Sequence, residues 1–341
     1  MNYTPNYIND LHRIKQVLPE LSGLQGKKIL ITGAGGLICS ALVDALLEWN
    51  LGLQVYAAGR SLEKLSHRFS HWKDRGDLTL FSWDAVDPLA LDQTFEFYVH
   101  GASNANPAAY SAHPVETMLT NLRGMEHILD HAKRNGRGRV LYISSSEVYG
   151  TKQDNTPYLE QEYGFVDLLD ARSCYPSSKR AAETLCAAYR KEYGVDAVIV
   201  RPGHIYGPTA TQQDNRASSQ FPRDVLAGKD IIMKSPGTQL RSYCYVLDCV
   251  SAMVTVLLAG QSGVAYNISN KDSVVTIRQM AQAFASAAGK QLLFEDPTHE
   301  EAGAFNKMTH SDLDASLLEQ LGWQGIFDLE SGVRATLDGM N

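Results

Sequence analysis

From Lys27 onward, short apolar segments alternate with longer amphipathic ones. The short segments, bounded by glycine or polar residues, predict strands at 29–32, 54–58, 78–83, 97–101, 139–144 and 197–201. The longer segments predict helices at 38–49, 61–69, 87–93, about 114–135 and 175–193. Alternation of this kind predicts an α/β fold, a doubly wound parallel sheet with helices on both faces.

A glycine-rich turn joins the first predicted strand to the first predicted helix. Gly33 and Gly36 lie directly after the strand, and Leu37 and Ile38 begin the helical pattern. Glycines here allow a tight turn and a close approach of backbone to a pyrophosphate, which the helix N-terminus attracts. Cys39 replaces the third glycine of the usual spacing and is small enough to pack against the strand. The turn therefore predicts a dinucleotide site.

Composition and charge narrow the classes of partner. The chain has 341 residues, 44% hydrophobic and 20% charged, as in an ordinary globular protein long enough for two lobes. A formal net charge of −7 argues against nucleic acid or an anionic membrane as the main partner, and no apolar run is long enough to span a bilayer. The polar N-terminal sequence lacks a signal-peptide pattern. Five cysteines without metal or disulfide spacing predict free thiols, no metal site and a cytoplasmic location.

The alternation stops after Arg201, where a loop rich in proline and glycine begins. We expect an N-terminal extension at 1–25, with one short helix at 8–17, and a dinucleotide-binding domain at 26–201 to which 243–262 return. Segments 202–242 and 263–341 are expected to form a smaller C-terminal α+β lobe that binds the substrate. The ligand crevice of such a sheet lies beyond the carboxyl ends of its strands.

Tyr175 and Lys179 form a YxxxK pair, which is one helical turn apart and therefore on one face. A nearby ammonium favours phenolate, so we expect Lys179 to pull the pKa of Tyr175 downward. Such a tyrosine takes a proton from a sugar or alcohol hydroxyl while a nicotinamide takes the hydride. Ser145 and Glu147, in the serine-rich segment that follows the strand at 139–144, are candidates to act beside it.

Together these segments resemble the extended short-chain dehydrogenase/reductase family that modifies nucleotide sugars, over about 27–270. The motifs are Thr32-Gly33-x-x-Gly36, Trp83-Asp84, His100-Gly101-Ala102-Ser103, Asn121, Ser144 to Gly150, Tyr175-x-x-x-Lys179, Arg201-Pro202, Tyr206-Gly207-Pro208 and Arg241-Ser242-Tyr243. The resemblance implies a Rossmann sheet, a contact of Asp84 with adenine, of Ser145 and Tyr175 with the reacting hydroxyl, and of Lys179 with the nicotinamide ribose. It also brings Ala102 to the cofactor and Ser103 to the substrate. Asp84 has a second interpretation as the cap before the helix at 87–93, and Asn121 as a surface polar residue.

Within this resemblance, Glu147 separates the possible reactions. All members first oxidise sugar C4 to a ketone. Dehydratases carry an Asp-Glu pair where this chain has Ser146-Glu147, and 4-epimerases usually lack the glutamate. The chain is most similar to UDP-glucuronate decarboxylases, also called UDP-xylose synthases, in Ser145-Ser146-Glu147, Ala102-Ser103-x-Ala105-x-Pro107 with Tyr110, Ala171 to Tyr175, Asp214-Asn215-Arg216 and Arg241 to Val246. A 4-epimerase, a 4,6-dehydratase of altered mechanism and a catalytically silent dinucleotide-binding regulator are the alternatives.

Candidate ligands for the substrate diphosphate or carboxylate are Arg172, Arg216 and Arg241, with exposed surface charge as the other interpretation of the first two. His204 stands where the resembling enzymes commonly have asparagine. Arg60 stands after the second strand, near where NAD-binding members place an aspartate for the ribose, so NAD is expected and NADP is possible. The resemblance also implies a homodimer through the helices at 114–135 and 175–193.

Overall fold

The computed structural model describes residues 3–18, 20–136, 138–297 and 310–341. Its strands are β1 (Lys28–Thr32), β2 (Gln54–Gly59), β3 (Leu78–Ser82), β4 (Phe97–His100), β5 (Arg139–Ile143), β6 (Ala197–Pro202), β7 (His204–Tyr206), β8 (Ile231–Met233), β9 (Leu240–Tyr245), β10 (Ala265–Ile268), β11 (Val274–Thr276), β12 (Leu292–Phe294) and β13 (His310–Ser311). Its helices are α1 (Pro5–Gln16), α2 (Leu37–Glu48), α3 (Leu62–Arg68), α4 (Pro107–Ala112), α5 (Pro114–Asn135), α6 (Cys174–Tyr193), α7 (Ala217–Leu226), α8 (Val246–Ala259), α9 (Ile277–Ala287), α10 (Ser316–Glu319) and α11 (Leu329–Met340).

A seven-stranded parallel sheet forms the larger part of the described fold, in the order β10-β6-β5-β4-β1-β2-β3. Strand order reverses beside β1, because β2 and β3 extend the sheet on one side and β4, β5 and β6 on the other. The predicted Rossmann-type, doubly wound sheet is confirmed. The carboxyl ends of β1, β4 and β5 adjoin at this reversal, which is where such sheets bind ligands.

Two expectations about elements are wrong. Residues 87–93 do not form a helix. Pro88 disfavours helical backbone at Asp87, and the Asp87 carbonyl instead accepts a hydrogen bond from Trp83 Nε1 at 3.1 Å. Strand β10, which we assigned to the substrate lobe, pairs with β6 at the edge of the main sheet. Without β10, β6 would be the edge strand of the sheet, and the parallel pairing satisfies the backbone hydrogen-bonding groups along that edge of β6.

Smaller sheets follow the main one in the chain. Strand β9 pairs with β7, β11 and β13, and β8 pairs with β12. Helix α8, which follows β9 directly, packs back on α2 and on β5 and β6 of the main sheet. Strands β7 and β9 therefore lead from the carboxyl end of β6 toward residues that the sequence placed in the substrate lobe.

The N-terminal segment is more than a polar extension. Helix α1 starts three residues earlier than expected, because Thr4 caps it and Pro5 fits its first turn. Tyr7, Leu11 and Ile14 are buried against the rest of the fold. Tyr7 also donates a hydrogen bond of 3.0 Å to Asp44 in α2, so the helix is tied to the element that follows the glycine turn.

Candidate active site

The glycine turn between β1 and α2 has the geometry that a phosphate site requires. Gly33 has φ 68°, and a Cβ there would lie 2.7 Å from the carbonyl of Gly101 and 2.8 Å from the nitrogen of Ala102. Gly36 donates to the Gly33 carbonyl at 2.9 Å and occupies the N-cap position ahead of Leu37. No described side chain caps this end of α2. The backbone N–H groups at Leu37 and Ile38 are thus arranged for an anion.

Cys39 takes the place of the third glycine without opening the packing. Its thiol is buried, and a Cβ on Gly101 would lie only 2.4 Å from the Cys39 sulfur. The space that a glycine in α2 usually leaves for the strand is therefore provided from the other side, by Gly101 after β4. Burial raises the pKa of the Cys39 thiol to about 12, so it remains a neutral packing group.

The other predicted cofactor residues lie at strand ends of the same sheet. Arg60 is exposed directly after β2, and its carbonyl accepts from the Ser82 hydroxyl at 3.0 Å. Asp84 follows β3 and accepts from the Val86 nitrogen at 3.2 Å, so its carboxylate caps a local turn and not a helix. Among the described residues, the buried hydroxyl of Ser103 has no hydrogen-bond partner.

Tyr175 and Lys179 are both buried on α6, at 6% and 3% exposure. Lys179 Nζ donates to the Ile143 carbonyl at 2.8 Å and lies 5.8 Å from the centroid of the Tyr175 ring. The Ser145 side chain lies close enough to Tyr175 to lower its pKa, and its hydroxyl accepts from the Glu147 nitrogen at 3.2 Å. The end of β5 and the start of α6 thus bring Ser145, Tyr175 and Lys179 together.

The expected fall in the pKa of Tyr175 is not found. Burial raises the pKa of Tyr175 to about 12, and the charge of Glu147 adds to this, while Ser145 and Arg216 lower it. Burial also lowers the pKa of Lys179 to about 7. Desolvation is therefore the main influence on both groups, because both side chains are almost fully buried. Tyr175 is a neutral phenol in this structure.

Glu147 is held by two other side chains beside Tyr175. Arg172 Nη1 and Nη2 each donate to a different oxygen of Glu147, both at 3.3 Å. The Tyr110 hydroxyl donates to Glu147 Oε1 at 3.4 Å and accepts from Arg172 Nη2 at 3.2 Å. The Tyr110 ring stacks on the Tyr175 ring, with centroids 5.0 Å apart and planes at 17°. Arg172, which we expected at the substrate, therefore contacts Glu147.

His204, Arg216 and Arg241 come together at the start of β7, at the N-terminus of α7 and on β9. Burial, then Arg241 and Arg216, lower the pKa of His204 to about 3, and its Nδ1 has no partner among the described residues. Arg216 donates to both oxygens of Asp214, at 2.9 and 2.5 Å. Arg241 is buried, donates to the Leu240 carbonyl at 2.8 Å, and has its pKa lowered by burial. Arg216 and Arg241, which we call the cationic wall, therefore lie near Tyr175 and Glu147.

Two contributions to the site were not identified from the sequence alone. Tyr110 appears only as part of a motif, since nothing in its neighbourhood in the chain indicates that its ring packs on Tyr175. Asn121 on α5 is buried and donates to the Ser178 hydroxyl at 2.8 Å, so it supports α6 and is not a surface residue. Asn121 was named only as a family motif, and its buried position on α5 was not expected from the sequence.

Residues 29–269 match the model of the NAD dependent epimerase/dehydratase family. The chain is 31% identical over 321 residues to UDP-glucuronic acid decarboxylase 1 of Xenopus tropicalis, which covers 93% of this chain and 73% of that protein. It is 36% identical over 245 residues to UDP-glucuronic acid decarboxylase 6 of Arabidopsis thaliana, covering 71% and 69%. The chain therefore belongs to the NAD dependent epimerase/dehydratase family.

Solved structures show the same fold at lower identity. UDP-glucose 4-epimerase of Thermotoga maritima, with UDP-glucose, superposes with a TM-score of 0.78 at 22% identity, covering 92% of this chain and 98% of that one. DesIV, the dTDP-glucose 4,6-dehydratase of Streptomyces venezuelae, with NAD, gives 0.79 at 22%, covering 92% and 96%. Within the part of the chain that the structure describes, no helix has the length and apolarity needed to cross a membrane.

Proposed function

We propose that this protein is a nucleotide-sugar enzyme that works through a transient 4-keto sugar, and that it decarboxylates UDP-glucuronate. The observation that carries the proposal is the position of Glu147. Its carboxylate is joined through Tyr110 to the ring of Tyr175, so an acid–base group lies beside the residue that would take the proton of the C4 hydroxyl. Ser146, preceding Glu147, cannot supply the second acid that expulsion of a C6 hydroxyl requires. The decarboxylase relatives agree with this choice.

The cofactor side fits NAD. The close approach of Gly33 to Gly101 and Ala102 leaves a cradle that any Cβ would fill, and the uncapped start of α2 at Gly36, Leu37 and Ile38 suits a pyrophosphate. We propose that Asp84 and Arg60 border the adenosine half, and that Ala102 and Lys179 border the nicotinamide half. Because the family is NAD dependent, we propose NAD in preference to NADP.

Tyr175 must first lose its own proton to solvent, a loss that the nearby Ser145 hydroxyl favours because it lowers the pKa of Tyr175. The resulting phenolate starts the reaction by taking the proton of the C4 hydroxyl. NAD, which the glycine turn and Lys179 would hold, would supply the acceptor for the C4 hydride and the source from which that hydride is returned. Oxidation at C4 turns the C5 carboxylate into that of a β-keto acid. The bond from C5 to the carboxylate then breaks, CO2 leaves, and the electron pair forms an enolate. Glu147 governs the proton that C5 receives, directly or through a water.

The cationic wall is proposed to hold the rest of the substrate. The guanidinium group of Arg241 lies close enough to Glu147 for an electrostatic interaction, and that of Arg216 lies close enough to Tyr175. His204 and Ser103 have buried polar atoms without partners in the described structure, and such atoms favour a bound ligand. We propose that these four residues bind the diphosphate or the sugar.

Product masses test the proposal. The protein is incubated with UDP-glucuronate, UDP-glucose and dTDP-glucose, and the products are weighed. Loss of CO2 from UDP-glucuronate supports decarboxylation. Loss of water would indicate a dehydratase, and changed retention at constant mass a 4-epimerase. If no sugar nucleotide is turned over, the enzyme hypothesis is rejected and the alternative of a catalytically silent, dinucleotide-binding regulator is favoured.

Glu147→Gln tests the residue that carries the proposal. The variant keeps a hydrogen-bonding side chain of the same size but has no charge or proton to exchange. We expect the C4 oxidation to continue and the following step to slow by about 100-fold, so that reduced cofactor accumulates. Its absorbance during a single turnover measures this. A wild-type rate in the variant would remove Glu147 from the C5 chemistry.

We also propose a homodimer in the cytoplasm. Val115, Met118 and Leu119 lie on α5 with 63%, 37% and 37% exposure, and α5 packs along α6. Such an apolar face on the two long helices suits a second copy of the chain. All five cysteines are free, as suits a reducing compartment.

A further inference from the structure

Arg172 lies close to the reacting residues, and its guanidinium group is paired with the Glu147 carboxylate. It belongs to a short turn at Ala171–Ser173, capped by the Asp170 side chain, which accepts from the Arg172 nitrogen at 2.9 Å. This turn leads directly into α6. The backbone that carries Arg172 is therefore fixed relative to Tyr175, three residues further on.

The contacts of Arg172 are shared between its two terminal nitrogens. Both of them face Glu147, one oxygen each, and Nη2 also reaches the Tyr110 hydroxyl. A forked donor facing both oxygens of a carboxylate fixes the plane of that carboxylate, which a single ammonium does not. Glu147 and Tyr110 in turn raise the pKa of Arg172 against the effect of burial. The fork thus remains charged while it holds Glu147.

Tyr110 links this pair to the tyrosine that begins the reaction. Its ring stacks on Tyr175 and lies 5.6 Å from the Arg172 guanidinium, while its hydroxyl bonds to Glu147. Moving Arg172 would therefore change the position of Glu147 relative to Tyr175. By contrast, Arg216 is paired with Asp214, from its own segment.

We propose that Arg172 is a positioning residue that, with Tyr110, orients the Glu147 carboxylate for the step after C4 oxidation, and is not a ligand of the substrate. This inference rests on the proposed function. Its consequence is a separation of the two halves of the reaction. Oxidation of C4 would need Ser145, Tyr175, Lys179 and NAD but not Arg172, whereas delivery of a proton to C5 needs Glu147 at a fixed place.

The test is a single-turnover comparison of wild type, Arg172→Gln and Arg172→Lys with UDP-glucuronate and NAD. We expect R172Q to form reduced cofactor at close to the wild-type rate. The following step should slow about 10- to 100-fold, so that 4-keto intermediate and reduced cofactor are released. KM should change little. R172K retains the charge without the fork and should recover part of the loss. R334Q, which removes an exposed arginine paired with Glu330 on α11, is the matched control.

A double-mutant cycle with Glu147→Gln decides whether Arg172 acts through Glu147. If it does, R172Q adds nothing to the loss already present in E147Q. Full additivity overturns the proposal, and so does a rise in KM for R172Q with an unchanged fate of the intermediate, which is the behaviour of a substrate ligand. Wild type that turns over UDP-glucuronate without releasing CO2 overturns the proposed decarboxylation alone, since the cycle can still be measured on the product formed. Wild type with no turnover overturns both.

Discussion

At the scale of single residues, burial decides the resting charges of the site. Tyr175 and Lys179 share a helical face, as the sequence indicated, yet the pKa of the phenol is raised to about 12 and that of the ammonium is lowered to about 7. Desolvation is the largest cause of both shifts, and the Lys179 ammonium is turned toward the Ile143 carbonyl. Proton transfer by Tyr175 therefore depends on Ser145 and on the groups that a filled cleft brings to it.

His204 gives a residue-scale prediction about pH. The pKa of His204 in the folded protein, about 3, lies below its value in the unfolded chain. Between these two pH values His204 is protonated in the unfolded chain but not in the folded protein. The contribution of His204 to the free energy of unfolding should therefore be fully present above about pH 7 and should decrease as the pH drops through about 6.5. At pH ~5.5 the free energy of unfolding should be lower by about 1.4 kcal/mol because of this group. In His204→Asn this share of the loss should vanish. Urea unfolding at the two pH values measures the difference.

The matched control for this pH dependence is His67→Asn, which changes an exposed histidine on α3. H67N should lose stability on acidification as wild type does. An H204N protein that loses just as much as wild type would mean that His204 is protonated in the folded state.

At the scale of elements, the contact between α2 and the end of β4 shows a rearranged packing solution. The thiol of Cys39 fills the place where the usual spacing has a glycine, and Gly101 on the strand side provides the room. The helix can therefore approach the sheet as closely as the phosphate site requires. At residues 87–93, by contrast, the expected element does not form. Pro88 and the hydrogen bond from Trp83 Nε1 to the Asp87 carbonyl favour an irregular segment in place of a helix.

Gly101→Ala should disturb this contact. The new methyl would lie 2.4 Å from the Cys39 sulfur, so we expect a loss of about 1–3 kcal/mol in stability and weaker NAD binding. Cys39→Gly introduced together with G101A should recover part of both, because it removes the clashing thiol. Urea unfolding and NAD titration measure the two effects. Gly76→Ala, at a position with no atom near the added Cβ, is the control. Equal loss in G101A and G76A would show that the contact is unimportant.

At the scale of the whole molecule, the proposed homodimer depends on α5. Charges at Val115 and Leu119, one turn apart on the exposed face, should prevent association, so V115E/L119E is expected to be a monomer by light scattering. Leu62→Glu, at an equally apolar exposed site on α3, should leave the dimer intact. A monomeric wild type would contradict the proposal directly.

The sequence by itself determined the features that depend on neighbours along the chain. The sheet, the glycine turn and the shared face of Tyr175 and Lys179 follow from the fixed periods of strand and helix. Glu147 could be singled out because the segment from Ser144 to Gly150 resembles that of a known family. Two local expectations were nevertheless wrong: residues 87–93 contain Pro88 and form no helix, and β10 pairs with β6 of the main sheet.

How these residues act on one another depends on contacts between segments that are distant along the chain. The pairing of Glu147 with Arg172 and Tyr110, the stacking of Tyr110 on Tyr175 and the support of α6 by Asn121 all join residues from separate segments. The direction of the pKa shifts at Tyr175, Lys179 and His204 has the same origin. Desolvation and charge interactions depend on distances through space and on exclusion of water, and spacing along the chain specifies neither.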